Sequence, residues 1–400
     1  MRVVTELLIF SASALIAEKV WRYALVADFF QRPVPTDTDT LPNLVSILQP
    51  VLSGDPTLAH CLESNLRMTT RYHVEFWYLL DEDDETAIQI CRDLETRYPE
   101  RVAGVLLLPP APEGISPKMF KLIAGQEASQ GDVVCCLDDD TILPDEGLEK
   151  CLPYLSRPDV GLAFGLPYYT CFANLWSAYV SCFVNAASLL TYIPYTALCE
   201  PFTINGMFFA VRRPILEKVG GFDAAKDILA DDFGTAHLFR TKGYLLAQTP
   251  LRHDISTHVQ NLAHLRGLIG RWFTFPRESL LRHLSASEKT VVVTMGAAAN
   301  LLPILLLLGA IATYPSNSLI AVGALFVVTL VVVIRLNYAY LPKPTPLWAL
   351  LFLTPLVLIL FPLQMLLALL APTQKVHWRG SVMEAKKGGG FRFVRRRKKE

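Results

Sequence analysis

The pattern of apolar and polar positions changes character near residue 285. Between residues 30 and 285, short apolar runs alternate with amphipathic stretches. Leu44–Leu48, Val74–Leu80, Val102–Leu108, Asp132–Leu137, Val160–Tyr168 and Phe202–Val211 read as strands, bounded by turn residues such as Ser53-Gly54-Asp55-Pro56 and Gly220-Gly221-Phe222-Asp223. Thr57–Met68 places Leu58, Cys61, Leu62 and Leu66 on one helical face. Thr86–Tyr98 fits a second helix, another follows Pro117, an aromatic one spans Phe172–Leu190, and the last runs from Ala230 to about Thr241. Strand and helix in alternation predict an α/β fold with a mainly parallel, doubly wound sheet.

Beyond residue 285 the chain is dominated by Leu, Val, Ile and Ala. Thr290–Thr313, Leu319–Ile334 and Leu347–Ala371 are apolar stretches without a polar stripe, and a bilayer takes about 20 apolar residues to span. The second reaches that length by continuing to Tyr340 if Arg335 snorkels. The third holds Pro355 and Pro362 and is expected to kink or re-enter. The predicted organisation is a membrane-associated or transmembrane helix at 1–28, a catalytic head at 30–285, transmembrane or re-entrant helices at 290–371 and a basic cytoplasmic tail at 372–400. Val3–Ala17 is apolar apart from Glu6 and is followed by Glu18-Lys19, so it reads as a short span, an interfacial helix or a signal peptide. A cleaved signal is the least favoured, because it would export the head away from activated phosphate substrates.

Composition adds three constraints. Lys plus Arg and Asp plus Glu both number 37, which gives no case for a nucleic-acid partner. Lys386, Lys387, Arg392, Arg395, Arg396, Arg397, Lys398 and Lys399 concentrate basic charge after the last apolar stretch, as the positive-inside rule expects of a cytoplasmic segment; such a tail would be solvated or would touch anionic lipid. The 8 cysteines lie between Cys61 and Cys199 without zinc-type spacing, and Cys135 and Cys136 are neighbours in a strand, pointing to opposite faces. All are expected to be reduced. His253, His258 and His264 suit no metal motif and are expected in loops or at the surface.

The candidate chemistry is acidic. The apolar run Asp132–Leu137 ends in Asp138-Asp139-Asp140, and the preceding strand at Val74–Leu80 ends in Asp81-Glu82-Asp83-Asp84. In open α/β folds ligands collect at the carboxyl edge of the sheet, and paired carboxylates suit Mg²⁺ or Mn²⁺ with positions left for phosphate oxygens. A third acid pair, Asp231-Asp232, opens the helix at 230–241, and Arg271-Trp272 precedes the apolar stretches.

These pieces, in this order, resemble the membrane-bound family 2 glycosyltransferases of GT-A fold, and among them the ceramide glucosyltransferases and the bacterial hopanoid glycosyltransferases. The resemblance spans roughly residues 44–285 and rests on Gly54–Leu58, Asp83-Asp84 with Ala87-Ile88, Gly114–Lys118, Val160–Leu162 through Gly165–Tyr168, Gly206-Met207 leading to Arg212-Arg213, Gly220-Gly221, Asp231–Phe233 and Arg271-Trp272, with His377–Gly380 as a post-membrane motif. It implies an inverting hexosyltransferase that carries a hexose or N-acetylhexosamine from a UDP-sugar to a lipid acceptor at the membrane. The setting implied is a bacterial inner membrane, with the head facing the cytoplasm. Asp83, Asp84, Lys118 and Asp139 would bind the nucleotide sugar, and Asp138 and Asp140 would bind Mg²⁺ or Mn²⁺. Asp232 would be the general base, with Asp231 its rival. Arg271 would clamp the diphosphate, and Trp272 would line the acceptor channel. Position 268 is Leu where the pattern has Gln or Arg, which argues against a processive polysaccharide synthase. Two alternatives stand beside this reading. One is a haloacid-dehalogenase-like Mg-dependent phosphatase, whose first motif Asp138-x-Asp140-Thr141 matches while Asp81–Asp84 and Arg271-Trp272 go unexplained. The other is a non-catalytic membrane scaffold.

Overall fold

The computed structural model describes residues 2–36, 42–370, 375–378, 381–386 and 389–396. The head is built on strands β1 (Val45–Pro50), β2 (Val74–Asp81), β3 (Val102–Leu108), β4 (Val133–Leu137), β5 (Thr141–Ile142), β6 (Val160–Tyr169), β7 (Phe208–Arg212) and β8 (Leu245–Ile255). They form one sheet in the order β3-β2-β1-β4-β7-β6-β8-β5. Neighbours β3-β2, β2-β1, β1-β4 and β6-β8 are parallel, while β7 runs against both β4 and β6. The carboxyl ends of β1, β2, β4, β6 and β8 and the start of β7 therefore share one edge.

Period-2 alternation divides the sheet between two cores. Val45, Phe76, Tyr78 and Cys135 face helices α2 (Leu58–Arg67) and α3 (Glu85–Arg97). Leu48, Leu79, Val134 and Cys136 face α4 (Pro117–Ala128) and α6 (Asp231–Thr241); here α5 denotes Leu175–Ala187. Cys135 and Cys136 thus point to opposite faces, and all eight cysteines are free thiols.

Two departures from the sequence expectation matter for the site. The strand expected over 202–211 forms only at Phe208–Arg212, because the preceding segment is bonded elsewhere: the Asn205 side-chain amide donates to Gly165 O at 2.6 Å and Gly206 O accepts from Lys118. Strand β8 was not expected at all. Pro250 and the charged run Arg252–Asp254 disguise it, and its register against β6 shifts between Phe164 and Leu166 to accommodate them. This also corrects the reading of His253. It is fully buried in β8 rather than in a loop, and burial pushes its imidazole down to about 3. His258 is half-buried, and His264 is exposed on α7 (Leu262–Phe275).

The amino-terminal segment is one helix, α1 (Arg2–Gln31). Among the described residues, three helices are long and apolar enough to cross a membrane: α8 (Ala286–Ala312), α9 (Ser318–Tyr340), and Leu347–Ala368 within α10 (Leu347–Leu370). Helix α10 runs unbroken through Pro355 and Pro362. The carboxyl-terminal segment, expected to be solvated or to touch lipid, instead forms an antiparallel sheet, β9 (Lys375–Trp378), β10 (Ser381–Ala385) and β11 (Phe391–Arg395). Met383 and Phe391 bury Leu229 of the head, and along β11 Phe391 and Phe393 alternate with Arg392. Arg379 and Gly380 of the post-membrane motif, and Lys387 and Arg397–Glu400 of the tail, lie outside the described residues.

One buried amide fixes the loop that follows the acid cluster. Asn65 of α2, fully buried, donates from Nδ2 to Thr141 O at 2.8 Å and accepts from Leu143 N at 2.9 Å. Asn65→Ala leaves both backbone groups unpaired and is expected to lower stability by about 1–3 kcal/mol, read as the unfolding midpoint in detergent. An unchanged midpoint would show that the loop is held by other contacts.

Candidate active site

The shared sheet edge gathers the acidic residues from distant parts of the sequence. Asp138 directly follows β4, and its backbone N–H donates to Met207 O at 2.9 Å, which ties the acid cluster to the segment entering β7. Lys118 lies in the first turn of α4 and is buried. Its ammonium sits 2.6 Å from Asp138 Oδ1 and 2.8 Å from Asp231 Oδ2, and it donates to Gly206 O at 2.8 Å. Burial pulls this ammonium's pKa down, but the two carboxylates outweigh it and raise it well above its ordinary value. Burial also raises the Asp138 carboxyl to about 7. Asp140 and Asp231 add to that shift, and Lys118 opposes it.

Asp231 and Asp232 occupy the first turn of α6, where acidic side chains complement the helix dipole. Asp232 Oδ1 accepts from the Phe233 N–H at 2.7 Å. Burial, and then the Asp231 charge, raise the Asp232 carboxyl to about 6. A side chain at Gly206 would place its Cβ 3.2 Å from Asp232 Cβ and 3.3 Å from Asp231 Oδ2, so the segment entering β7 lies close against the start of α6. Asp140 is held from the opposite side: Thr257, just past β8, donates to its Oδ2 at 2.7 Å.

The acids beside β1 and β2 turn inward. Asp84 caps α3 by accepting from Ala87 N, and its other oxygen accepts from Ser53 N at 2.8 Å. Asp139, buried, accepts from Leu52 N at 2.9 Å. Two of the expected nucleotide-sugar residues thus clamp the Val51–Gly54 loop at the carboxyl end of β1, with Asp83 half-buried beside them.

Arg271 and Trp272 project from α7. The Arg271 charge is felt by Tyr169 at the end of β6. Burial raises that phenol's pKa, Asp140 raises it further, and Arg271 opposes. Arg271, Tyr169, Thr257 and Asp140 therefore share one environment. The Trp272 ring lies 5.9 Å from Phe183 of α5, which stacks on Phe361 of α10. Leu268 is buried in the same apolar cluster, which explains why an apolar residue stands where the motif has Gln or Arg. Thr257, Tyr169 and Tyr192 were not expected at the site; burial, and then Asp232, raise the Tyr192 phenol. Recognising β8 would have flagged Thr257, since it lies two residues past the strand at the acidic edge.

The side chains suit a hard divalent cation in part. Asp138 and Asp140 are all-oxygen donors in a site with surplus negative charge, which is the chemistry Mg²⁺ and Mn²⁺ prefer. Among the described residues no three His, Cys, Asp or Glu side chains are grouped to hold a metal ion; a cation held by Asp138 and Asp140 would need its remaining oxygens from substrate and water.

The fold has a solved counterpart in a mannosyltransferase from Pyrobaculum calidifontis, determined in complex with GDP-Man and Mn²⁺ (TM-score 0.51, 15% identity, covering 91% of this chain and 97% of that one). In sequence, the chain is 25% identical over 261 residues to ceramide glucosyltransferase 1 of Caenorhabditis elegans, which is 62% of this chain and 53% of the worm protein; it spans about half that relative's length. With the acid clusters and Lys118 at one edge of a GT-A sheet, and with the glycosyl transferase family 21 model matching residues 4–391, the chain belongs to glycosyltransferase family 21.

Proposed function

We propose that this protein is a membrane-bound inverting glycosyltransferase that moves a hexose or N-acetylhexosamine from a UDP-sugar to a hydroxyl of a membrane lipid of ceramide-like or hopanoid type. The observation that carries the reading is the Lys118 ammonium, which joins Asp138 of the β4 end to Asp231 of α6 and so sets Asp232 beside the acid cluster. The phosphatase alternative gives no role to the Val51–Gly54 clamp or to Arg271, and the scaffold alternative gives none to a buried, charged cluster.

Asp232 is the proposed general base. As the acceptor oxygen attacks the anomeric carbon, its proton passes to Asp232, and the bond from that carbon to the diphosphate breaks with its electron pair leaving on UDP. Attack opposite the leaving group inverts the anomeric centre. Asp231 is the weaker candidate because its carboxylate is neutralised by Lys118. Asp83, Asp84 and Asp139 would frame the nucleotide around the Val51–Gly54 loop, while Lys118 and Arg271 would face the diphosphate. Asp138 and Asp140 would hold Mg²⁺ or Mn²⁺, which supplies positive charge against the departing diphosphate. Trp272 would line the path of the acceptor from the apolar cluster of α5, α7 and α10. The proposed setting is a bacterial inner membrane, with the head in the cytoplasm, where UDP-sugars are made.

Lipid mass spectrometry of cells with and without the protein is expected to show one lipid class gaining a single hexose or N-acetylhexosamine, with UDP released in vitro; release of free phosphate from a phosphoester would favour the phosphatase reading. Asp232→Asn is expected to lower kcat by about 100- to 10,000-fold, and a loss under about tenfold would move the role to Asp231. Because the base must be ionised and its pKa is raised to about 6, wild-type kcat/KM is expected to level off above that pH and to fall as pH drops through it. A profile flat from about pH 5 to about pH 8 would argue against a carboxylate base. Chelation should abolish turnover, and added Mn²⁺ or Mg²⁺ should restore it; full activity in chelator would remove the metal from the scheme.

A further inference from the structure

Three apolar helices follow the head, and an odd number of crossings would put the carboxyl-terminal segment on the opposite side of the bilayer from the head. The structure places that segment on the head itself. Leu229 N donates to Gly389 O at 2.9 Å, Phe393 N donates to Glu113 Oε1 at 3.0 Å and Arg396 Nη1 donates to Ala111 O at 2.6 Å. One of the three helices therefore does not cross.

The contacts of each helix identify which one. Helix α8 begins at the head, where Glu288 pairs with Arg240, and leads away from it. Helix α9 returns: its far end joins α8 through the Thr313–Ser318 hydroxyl contacts, and its near end packs Leu336 on Leu166 and Tyr168 of β6. Helix α10 packs on α8 and α9 as well, but it keeps contact with the head from end to end. At its start, Thr345 accepts from Asn185 of α5 at 2.8 Å and Lys343 pairs with Asp254 of β8. Along its length Ala349, Leu353, Val357 and Phe361 recur every fourth residue against α5 and α7. Towards its end Gln364 accepts from Tyr179 at 3.2 Å, and Ala368 O accepts from Arg277 at 3.2 Å. Its other face, including Trp348, Phe352, Leu356, Leu363 and Leu367, is exposed and apolar.

Helix α1 runs beside α8 and α9 instead. Leu8 abuts Gly309 near the far end of α8. Ala12 is buried against Leu306 and Leu325. Val26 and Phe29 reach the head beside Leu336. Its mid-helix charges are turned inward, whereas Arg2, Glu6 and Asp28 near its ends are exposed: Lys19 and Arg22 both pair with Glu18, and Arg22 donates to Leu190 O and Met295 O. Met295 O lies in the π-helical stretch Val292–Ala298, where the looser ladder leaves carbonyls available. Thirty residues of helix are about 45 Å long, more than the roughly 30 Å hydrocarbon core.

We propose that α1, α8 and α9 are the crossings, and that α10 lies along the head at the bilayer boundary with its exposed face in lipid. This rests on the membrane reading above but not on the sugar chemistry. It places the α7 helix that carries Arg271 and Trp272 directly under a lipid-facing helix, so the bilayer itself is the partner of the surface beside the candidate site. Loop charge agrees: the far-side turn Thr313–Asn317 is uncharged, whereas the head side has Lys343 and the basic tail.

The test uses single cysteines in the full chain at Arg2, Asn317, Pro342 and Lys386, labelled with a membrane-impermeant thiol reagent in sealed vesicles of each orientation and read against the parent chain. Labelling of Arg2→Cys and Asn317→Cys only from the side opposite the head, with Pro342→Cys and Lys386→Cys labelled only from the head's side, is the expected result. If Lys386→Cys alone moves to the far side, α10 crosses and the proposal fails while the membrane reading stands. If Arg2→Cys alone moves to the head's side, α1 does not cross and the proposal fails in that part. If all four sites label from the head's side, the membrane reading falls with the proposal.

Discussion

A single buried ammonium holds the candidate site together. Lys118 is shared by Asp138 and Asp231 and anchored to Gly206 O, so α4, the end of β4, the entry to β7 and the start of α6 meet at one nitrogen. Buried charge is tolerated only when it is paired and hydrogen-bonded, and here each partner meets that condition for the others. The constraint spreads outward. It packs Gly206 tightly against Asp231 and Asp232 and draws the segment entering β7 onto the acids, while burial of the cluster raises the carboxyls of Asp138 and Asp232 against the opposing pull of Lys118.

A second constraint joins the site to the apolar helices. Helix α7 carries Arg271 towards the acidic edge and Trp272 and Leu268 into the cluster with α5 and α10. One helix thus has a charged face in the head's chemistry and an apolar face on the membrane-side helices. An acceptor that is part lipid and part hydroxyl would need such a junction. The tail sheet closes the arrangement from the other side, binding the segments at Ala111–Glu113 and Leu229. Those segments lead into Lys118 and into Asp231-Asp232, and they are themselves tied by the Ser116 N–H to Lys226 O bond.

Much of the head was legible because its signals are local. Alternating strands and amphipathic helices gave β1–β4, β6, α2 and α3 nearly residue for residue, and the acid clusters at strand ends marked the working edge. What misled the reading was also local. Pro250 and Arg252–Asp254 look like a loop, yet β8 is a long strand of the sheet, because pairing with β6 outweighs the proline. The basic tail looks solvated, yet Met383 and Phe391 find Leu229. His253 is polar in sequence and fully buried in the fold.

The sequence alone determined the α/β class, the apolar helices and the candidate acids, since each follows from side-chain chemistry repeated at short spacing. Only the tertiary structure decided which of those acids share the Lys118 ammonium, that Thr257 and Tyr169 join them, and that the tail strands pack on the head. Those facts depend on pairings between residues far apart in the chain, such as Lys118 with Asp231 or Gly389 with Leu229. No local period encodes such pairings; they are selected when sheet order and helix packing bring the partners together and burial makes leaving them unpaired costly.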